Sequence, residues 1–81
     1  MKRQRNTLGK NVARLRTAAG WTQAELADAA GLSQGAVSKI EAGRTTPSIA
    51  IVGRLAKSLY VTLDEIFYRS GVDNYSKSNK V

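Results

Sequence analysis

Glycine and proline divide this chain into segments that are too short for long helices. Gly20, Gly31 and Gly43 each follow a partly apolar segment, and Pro47, the single proline, comes soon after Gly43. Glycine readily takes the left-handed conformation that ends a helix. The apolar residues between these stops recur at spacings of three and four rather than two. The sequence therefore predicts an all-α fold that is built from several short helices.

Helix-start signals place five helices along the chain. Thr22 with Glu25 and Thr62 with Glu65 form capping boxes, in which the threonine hydroxyl and the glutamate each accept a backbone N–H. Ser33 is a third candidate N-cap. We expect Pro47 to open the fourth helix. The predicted helices cover about residues 7–19, 22–31, 33–43 and 47–59, and a fifth begins at residue 62. Together they predict a compact five-helix bundle.

Length and charge allow one small basic domain. The chain has 81 residues, with 13 Lys and Arg against 6 Asp and Glu, so its formal net charge is +7. A chain of this size buries about 60% of its unfolded surface, which suffices for one core. We expect a flexible basic arm over residues 1–6, a folded domain over 7–69 and a polar tail over 70–81. The basic balance favours a polyanionic partner such as nucleic acid.

The composition excludes several classes of chemistry. The chain contains no Cys and no His, which removes disulfides, thiol nucleophiles, imidazole bases and most transition-metal sites. The carboxylates include no pair at a spacing that suggests catalysis. We therefore expect a protein that is not an enzyme and that uses no metal or cofactor. No apolar run approaches about 18 residues and no signal-peptide pattern is present, so we expect a cytoplasmic protein with no membrane contact.

The second and third helices form a helix-turn-helix. They are joined by three residues, Gly31, Leu32 and Ser33, so two short helices must cross steeply. Small or apolar residues supply the core side of this unit: Leu26, Ala27, Ala30, Leu32, Val37 and Ile40. Ala27 lies where the two helices cross too closely for a larger side chain.

The outer face of the third helix carries no large apolar side chain. When the helix is projected at about 100° per residue, Gly35, Ser38 and Lys39 face outward and Gln34 lies near the N-terminus. A slim helix fits the DNA major groove, which is about 12 Å wide, and a glutamine amide can bind adenine bidentately. We therefore predict base readout by these four residues. Gly35 would let the backbone approach DNA closely, although a tolerated surface glycine is the alternative.

Short motifs between Leu8 and Phe67 occur together in a known family. They are Leu15-Arg16, Gly20, Thr22-Gln23, Glu25-Leu26-Ala27, Gly31-Leu32-Ser33, Val37-Ser38, Ile40-Glu41, Gly43-Arg44, Pro47, Leu55-Ala56, Leu59 and Val61 to Phe67. This segment resembles the Xre/Cro-type helix-turn-helix family of bacterial and phage repressors, the lambda-repressor-like DNA-binding domain. The resemblance implies that double-stranded DNA is the partner and that the helix after Ser33 reads its bases.

The resemblance also implies phosphate contacts around that helix. Gln23 is implied to bind a phosphate and to help orient the glutamine of the third helix, and Arg44 lies in the loop where the family touches phosphate. Free N–H groups at helix N-termini favour the same contact beside Gln23 and Ser33. Lys10 and Arg14 face outward on the first helix and are further candidates, with a merely solvated face as the alternative.

Four positions carry structural expectations. The family often pairs two of them, and the other two differ from the family. Arg16 and Glu41 stand where the family often joins the first and third helices by an ion pair, so we assign them to structure. Tyr60 replaces the usual glycine, and we expect the fourth helix to end with a geometry that is not left-handed, or Tyr60 to be retained for a contact. Trp21 is bulkier than the usual residue, and we expect it to belong to the core.

The expected function is that of a sequence-specific transcriptional regulator, a repressor-like protein that binds a palindromic operator as a homodimer. One short helix reads few base pairs, so two half-sites raise specificity. The apolar surplus near the C-terminus supplies a candidate dimer interface: Phe67, Tyr68, Val72 and Tyr75. The alternatives are a controller protein of a restriction-modification system, an antitoxin-like interaction protein with a protein partner of unknown identity, and a non-specific nucleic-acid binder.

Overall fold

The computed structural model describes residues 7–67, and within that range it contains five α-helices and no strand. The helices are α1 (Thr7–Ala18), α2 (Gln23–Ala30), α3 (Gln34–Glu41), α4 (Ile49–Leu59) and α5 (Leu63–Phe67). The prediction of an all-α fold with five short helices is confirmed. The predicted arm over residues 1–6, the tail over 70–81 and the candidate interface residues Tyr68, Val72 and Tyr75 lie outside the described residues.

The helix starts follow the local sequence closely. At α2 the Thr22 hydroxyl accepts from the Glu25 N–H at 3.0 Å, and the Glu25 carboxylate accepts from the Thr22 N–H at 2.8 Å. The same reciprocal pair joins Thr62 and Glu65 at the start of α5, with distances of 3.1 and 2.8 Å. Both predicted capping boxes are confirmed. They could be predicted because each depends on contacts within one helical turn.

The predicted start of α4 is wrong by two residues. Ser48, not Pro47, precedes the first helical residue: its backbone is extended and its hydroxyl accepts from the Ile51 N–H at 3.2 Å. A serine oxygen satisfies an unpaired N–H of the first turn, whereas proline at the first helical position satisfies none. The cap with a hydrogen-bonding side chain therefore decides where the helix begins.

The end of α4 contradicts the expectation of a geometry that is not left-handed, whereas the alternative, a Tyr60 retained for a contact, stays a prediction. Tyr60 adopts the left-handed conformation, with φ of 58° and ψ of 43°, and the Val61 N–H donates to the Ala56 carbonyl at 3.0 Å. This closing hydrogen bond requires a left-handed residue between the helix and Val61. A side chain in that conformation costs about 1–2 kcal/mol. The left-handed backbone at Tyr60 lets the chain turn back, so that Val61 packs against the core.

The five helices share one core. α2 packs against α3 and against α4, while α1 packs against α3 and α5. Trp21 is half-buried and packs against the core, as predicted. The buried apolar side chains are Val12, Leu26, Ala27, Ala30, Val37, Ile40, Val52, Leu55, Ala56, Leu59 and Ile66. The helix-turn-helix core predicted from the sequence is therefore present, with Ala27 at 3% exposure between the crossing helices.

Two residues of α1 bring that helix unusually close to its neighbours. Asn11 is fully buried, and its side-chain amide donates to the Ile66 carbonyl oxygen at 2.6 Å, which ties α1 to α5. Gly9 faces the end of α3, where a Cβ would overlap the Ile40 carbonyl oxygen and lie 2.9 Å from the Glu41 carbonyl oxygen. Glycine is therefore required at this crossing for steric reasons alone.

Candidate nucleic-acid interface

The connection between α2 and α3 fixes the direction of α3. Gly31 is left-handed, with φ of 71°, and the Leu32 N–H donates back to the Ala27 carbonyl at 2.8 Å. Ser33 then caps α3, because its hydroxyl accepts from the Ala36 N–H at 3.0 Å. The turn is thus held by hydrogen bonds at the end of one helix and the start of the next. It presents α3 as a rigid element on the surface of the domain.

The outer face of α3 brings the four predicted base-reading residues together. Gln34, Gly35, Ser38 and Lys39 are all exposed, whereas Val37 and Ile40 are buried on the opposite face. A Cβ at Gly35 would meet nothing closer than the Ser33 hydroxyl oxygen at 3.9 Å. The domain itself therefore gives no steric reason for glycine at position 35.

An ion pair and its hydrogen bonds hold α3 against α1 and α2. Arg16 Nε donates to Glu41 Oε2 at 2.7 Å, and another guanidinium nitrogen donates to Glu41 Oε1 at 3.1 Å. Arg16 also donates to the Trp21 carbonyl oxygen at 2.7 Å. The Arg16 and Glu41 side chains are 14% and 7% exposed, so this pair is largely removed from solvent. The hydrogen bond with Glu41 is the main cause that raises the pKa of Arg16, and burial opposes it.

Gln23 joins this network instead of contacting the glutamine of α3. Its side-chain amide donates to Glu41 Oε1 at 2.9 Å, so one carboxylate oxygen accepts from both Gln23 and Arg16. The first residue of α2 is thereby connected to the last residue of α3. The network fixes the orientation of α3, which carries the predicted DNA-reading face, relative to α1 and α2.

The predicted phosphate-binding side chains lie on α1 and in the loop after α3. Lys10 and Arg14 are exposed on α1, and Arg44 is exposed in the loop after α3, where its backbone N–H donates to the Lys39 carbonyl at 2.9 Å. Among residues 7–67 none of these three side chains forms an ion pair. Ser33 is exposed, but its hydroxyl already serves as the α3 cap.

Three structural residues escaped the sequence analysis. Asn11 stands three residues after Leu8 and four before Leu15, so its position on the apolar stripe of α1 signalled that it would be buried. Arg54 on α4 donates to the Ala30 and Gly31 carbonyls at 3.0 and 2.8 Å and thereby caps the end of α2. Neither Arg54 nor Gly9 had a local signal, since both act through residues distant in sequence.

The part of the chain that the structure describes offers no metal cluster and no membrane-spanning helix. Residues 7–67 hold no cluster of three or more acidic, histidine or cysteine side chains that could bind a metal ion. Within the same range no helix has the length and apolar character needed to cross a membrane. Phe67, a candidate interface residue, is half-buried against the core.

Known proteins share both the sequence and the geometry of this unit. A helix-turn-helix family model matches residues 12–66. An uncharacterized HTH-type transcriptional regulator, y4dJ, from Sinorhizobium fredii is 39% identical over 62 residues, which span 76% of this chain and 80% of that protein. The restriction-modification controller protein C.AhdI from Aeromonas hydrophila superposes with a TM-score of 0.76 at 32% identity, over 78% of this chain and 96% of that one.

A further solved structure agrees with these. The hypothetical transcription factor NHTF from Neisseria gives a TM-score of 0.76 at 29% identity, over 80% of this chain and 75% of that one. The family model covers well over half of the chain. The chain therefore belongs to the Xre/lambda-repressor-like helix-turn-helix family of DNA-binding transcriptional regulators.

Proposed function

We propose that this protein is a cytoplasmic, non-enzymatic regulator of transcription that recognises a palindromic operator as a homodimer. The observation that carries the proposal is the outer face of α3, where four small or polar side chains are exposed while the rest of the helix is anchored in the core. A face of this shape fits the major groove of DNA, and the network around Glu41 keeps it rigid.

Base readout falls to the exposed residues of α3. Gln34 is the first residue of the helix, and its amide can accept from and donate to one adenine edge. Ser38 and Lys39 lie one turn further along the same surface, where a hydroxyl and an ammonium group can bond to base edges. Gly35 lets the helix backbone come close to the bases between these contacts.

Exposed cations and helix N-termini bind the phosphates in this proposal. Lys10, Arg14 and Arg44 are exposed cations, and the N-termini of α2 and α3 present backbone N–H groups beside Gln23 and Ser33. Contacts of this kind release counterions from DNA, so affinity should fall steeply as the salt concentration rises. They set the register of the protein on the duplex and leave sequence preference to α3.

Dimerisation is proposed from energetics and from exposed apolar groups near the chain's C-terminal side. Each base pair read by α3 contributes about 1–3 kcal/mol of discrimination, and doubling the half-sites doubles this contribution. Leu63 on α5 is 42% exposed, and Phe67 ends the same helix. We assign the interface to Phe67 with Tyr68, Val72 and Tyr75.

A controller protein of a restriction-modification system is a second candidate role. The specific observation is the similarity to C.AhdI, which this chain matches over 96% of that protein's length at 32% identity. The two roles share one chemistry, because each requires the same operator binding. They differ in which genes stand beside the operator.

Selection of bound duplexes from a random DNA pool tests the proposal. The selection is run at about 0.15 M salt with excess competitor, and the retained duplexes are sequenced. We expect an inverted repeat whose half-sites lie about one helical turn apart, and a protein mass that corresponds to two chains on one duplex. Enrichment of a single half-site would contradict the homodimer, and retained DNA without a motif would contradict sequence-specific binding.

A substitution then separates base readout from phosphate binding. Gln34→Ala should relax the preference at one base pair of each half-site and leave the dependence of affinity on salt nearly unchanged. Lys57→Gln, an exposed cation outside the proposed DNA face, is the matched control and should alter neither property. If Gln34→Ala weakened binding equally on every sequence, its assigned role in readout would be wrong.

A further inference from the structure

A groove lies beside the C-terminal halves of α2 and α4. It has a volume of about 410 Å³, and its walls include Trp21, Ala29, Arg54, Lys57 and Tyr60. No residue of α3 lines it. α2 packs against both α3 and α4. The groove therefore shares no lining residue with the proposed DNA face.

Tyr60 is a strained residue at the rim of this groove. It is the one non-glycine residue of the described range with a positive φ, and its side chain is 91% exposed. The tyrosine ring itself therefore gains no packing inside the domain that would offset the cost of the left-handed backbone. A glycine would close α4 with the same hydrogen bonds and without that cost. A strained, exposed aromatic side chain is explained if it contacts something outside the domain.

The charges of the groove all have one sign. Lys57 and Arg54 line it, and no acidic residue does. Arg54 is held in place because two of its nitrogens bind the Ala30 and Gly31 carbonyls. Lys57 forms no ion pair within residues 7–67. Two cations beside two aromatic rings favour a ligand that combines negative charge with an apolar side chain.

We propose that this groove docks an acidic segment of a partner protein. An apolar side chain of the partner lies between Trp21 and Tyr60, and its carboxylates face Lys57 and Arg54. Tryptophan, tyrosine and arginine are the residue types that contribute most often to binding energy at protein interfaces, and all three line this groove. Because α3 does not take part, the partner and DNA can be bound together. The proposal does not depend on the operator-binding role.

The chain supplies its own reporter for a direct test. Trp21 is the single tryptophan of the sequence and lines the groove, so its fluorescence reports on binding there while the domain stays folded. The probe is a short glutamate-rich peptide with one central phenylalanine, and the control peptide has glutamines in place of the glutamates. At low salt we expect the acidic peptide to shift the Trp21 emission to shorter wavelength in a saturable manner, with at least about tenfold higher affinity than the control peptide.

Substitutions identify where the peptide binds. Tyr60→Gly should weaken the acidic peptide by about tenfold or more, because it removes one aromatic wall while keeping the helix end intact. Lys57→Gln should weaken it by about two- to fivefold, the usual range for an exposed charge pair. Lys10→Gln removes another exposed lysine, on α1 and outside the groove, and should leave the affinity for the acidic peptide unchanged.

The proposal is overturned by any of three results. The first is an emission that does not change with the acidic peptide. The second is equal binding of the two peptides, which would remove charge complementarity. The third is equal weakening by Lys10→Gln and Lys57→Gln, which would assign the binding to net charge alone. A far-ultraviolet circular dichroism spectrum that matches that of the parent protein checks that each variant remains folded.

Discussion

Replacing Gly9 by alanine is expected to destabilise the domain, although helix propensity alone predicts the reverse. Gly9 lies in the first turns of α1 and faces the end of α3. The added Cβ would overlap the Ile40 carbonyl oxygen and stand 2.9 Å from the Glu41 carbonyl oxygen. Both obstacles are backbone atoms, so no side-chain rotation relieves them. α1 must move away from α3 by roughly 1 Å before ordinary contact distances return.

The magnitude follows from two opposing contributions. Overpacking that forces backbone shifts costs about 1–3 kcal/mol. Alanine in place of glycine in a helix returns at most about 1 kcal/mol. The movement also pulls Arg16 away from Glu41, because Arg16 belongs to α1 and Glu41 to α3. We therefore expect Gly9→Ala to lower the free energy of unfolding by about 1–2 kcal/mol, which lowers Tm by about 4–8 °C per kcal/mol.

Gly53→Ala is the matched control. Gly53 lies inside α4, and a Cβ there meets no atom within 4 Å. Only the propensity contribution remains, so this variant should be more stable by about 0.5–1 kcal/mol. Urea denaturation followed by circular dichroism and by Trp21 fluorescence measures both variants on the same scale. A Gly9→Ala protein as stable as the parent, or more stable, would refute the close approach of α1 to α3.

The other predictions concern the DNA face, the ion pair and the strained helix end. Gly35→Ala should raise stability by about 0.5–1 kcal/mol because nothing obstructs the Cβ. It should also weaken operator binding by about tenfold, measured by fluorescence anisotropy; an unchanged affinity would refute the close backbone approach to DNA. Glu41→Gln leaves the Arg16 guanidinium without its carboxylate and should cost about 3 kcal/mol in urea denaturation; a loss below about 1 kcal/mol would show that the pair is effectively solvated. Tyr60→Gly should raise stability by about 0.5–1 kcal/mol, since relief of about 1–2 kcal/mol of strain exceeds the entropy that glycine adds to the unfolded chain. A destabilised Tyr60→Gly protein would mean that the tyrosine ring packs on the domain.

The features that could be predicted from the sequence are those decided within one helical turn. Capping boxes at Thr22 and Thr62, the left-handed glycine at position 31 and the buried stripe of α3 all depend on near neighbours, and all are present. The prediction for the start of α4 was wrong for a reason that is also local. Ser48 stands next to Pro47 and has the better capping group. Local rules thus sufficed for the number and the order of the helices.

The remaining features depend on contacts between distant parts of the chain. Arg54 caps α2 from α4, and Gly9 is required by a carbonyl more than thirty residues away. Asn11 is buried because the Ile66 carbonyl needs a donor at that point. Gln23 pairs with Glu41 because the packing of α2 on α3 brings the two together. No local pattern in the sequence predicts which of these distant residues will be in contact.

The left-handed tyrosine shows why a single departure from the family did not mislead the fold prediction. The hydrogen bond from Val61 to Ala56 imposes the helix end, and the residue at position 60 must conform whatever its side chain is. The sequence expectation was either a helix end that is not left-handed or a Tyr60 retained for a contact. Packing of Val61 against the core accompanies the left-handed end that is observed, at a local cost of about 1–2 kcal/mol.

The separation of the exposed face of α3 from its buried face has a consequence for how such a protein can change. Gln34, Ser38 and Lys39 make no contribution to the core, and the anchoring of α3 rests on Val37, Ile40 and the network at Glu41. Under the proposed readout role, we expect substitutions at these exposed positions to alter DNA preference while the fold keeps nearly all of its stability. Operator specificity would then be exchangeable one position at a time, without compensating changes elsewhere in the chain.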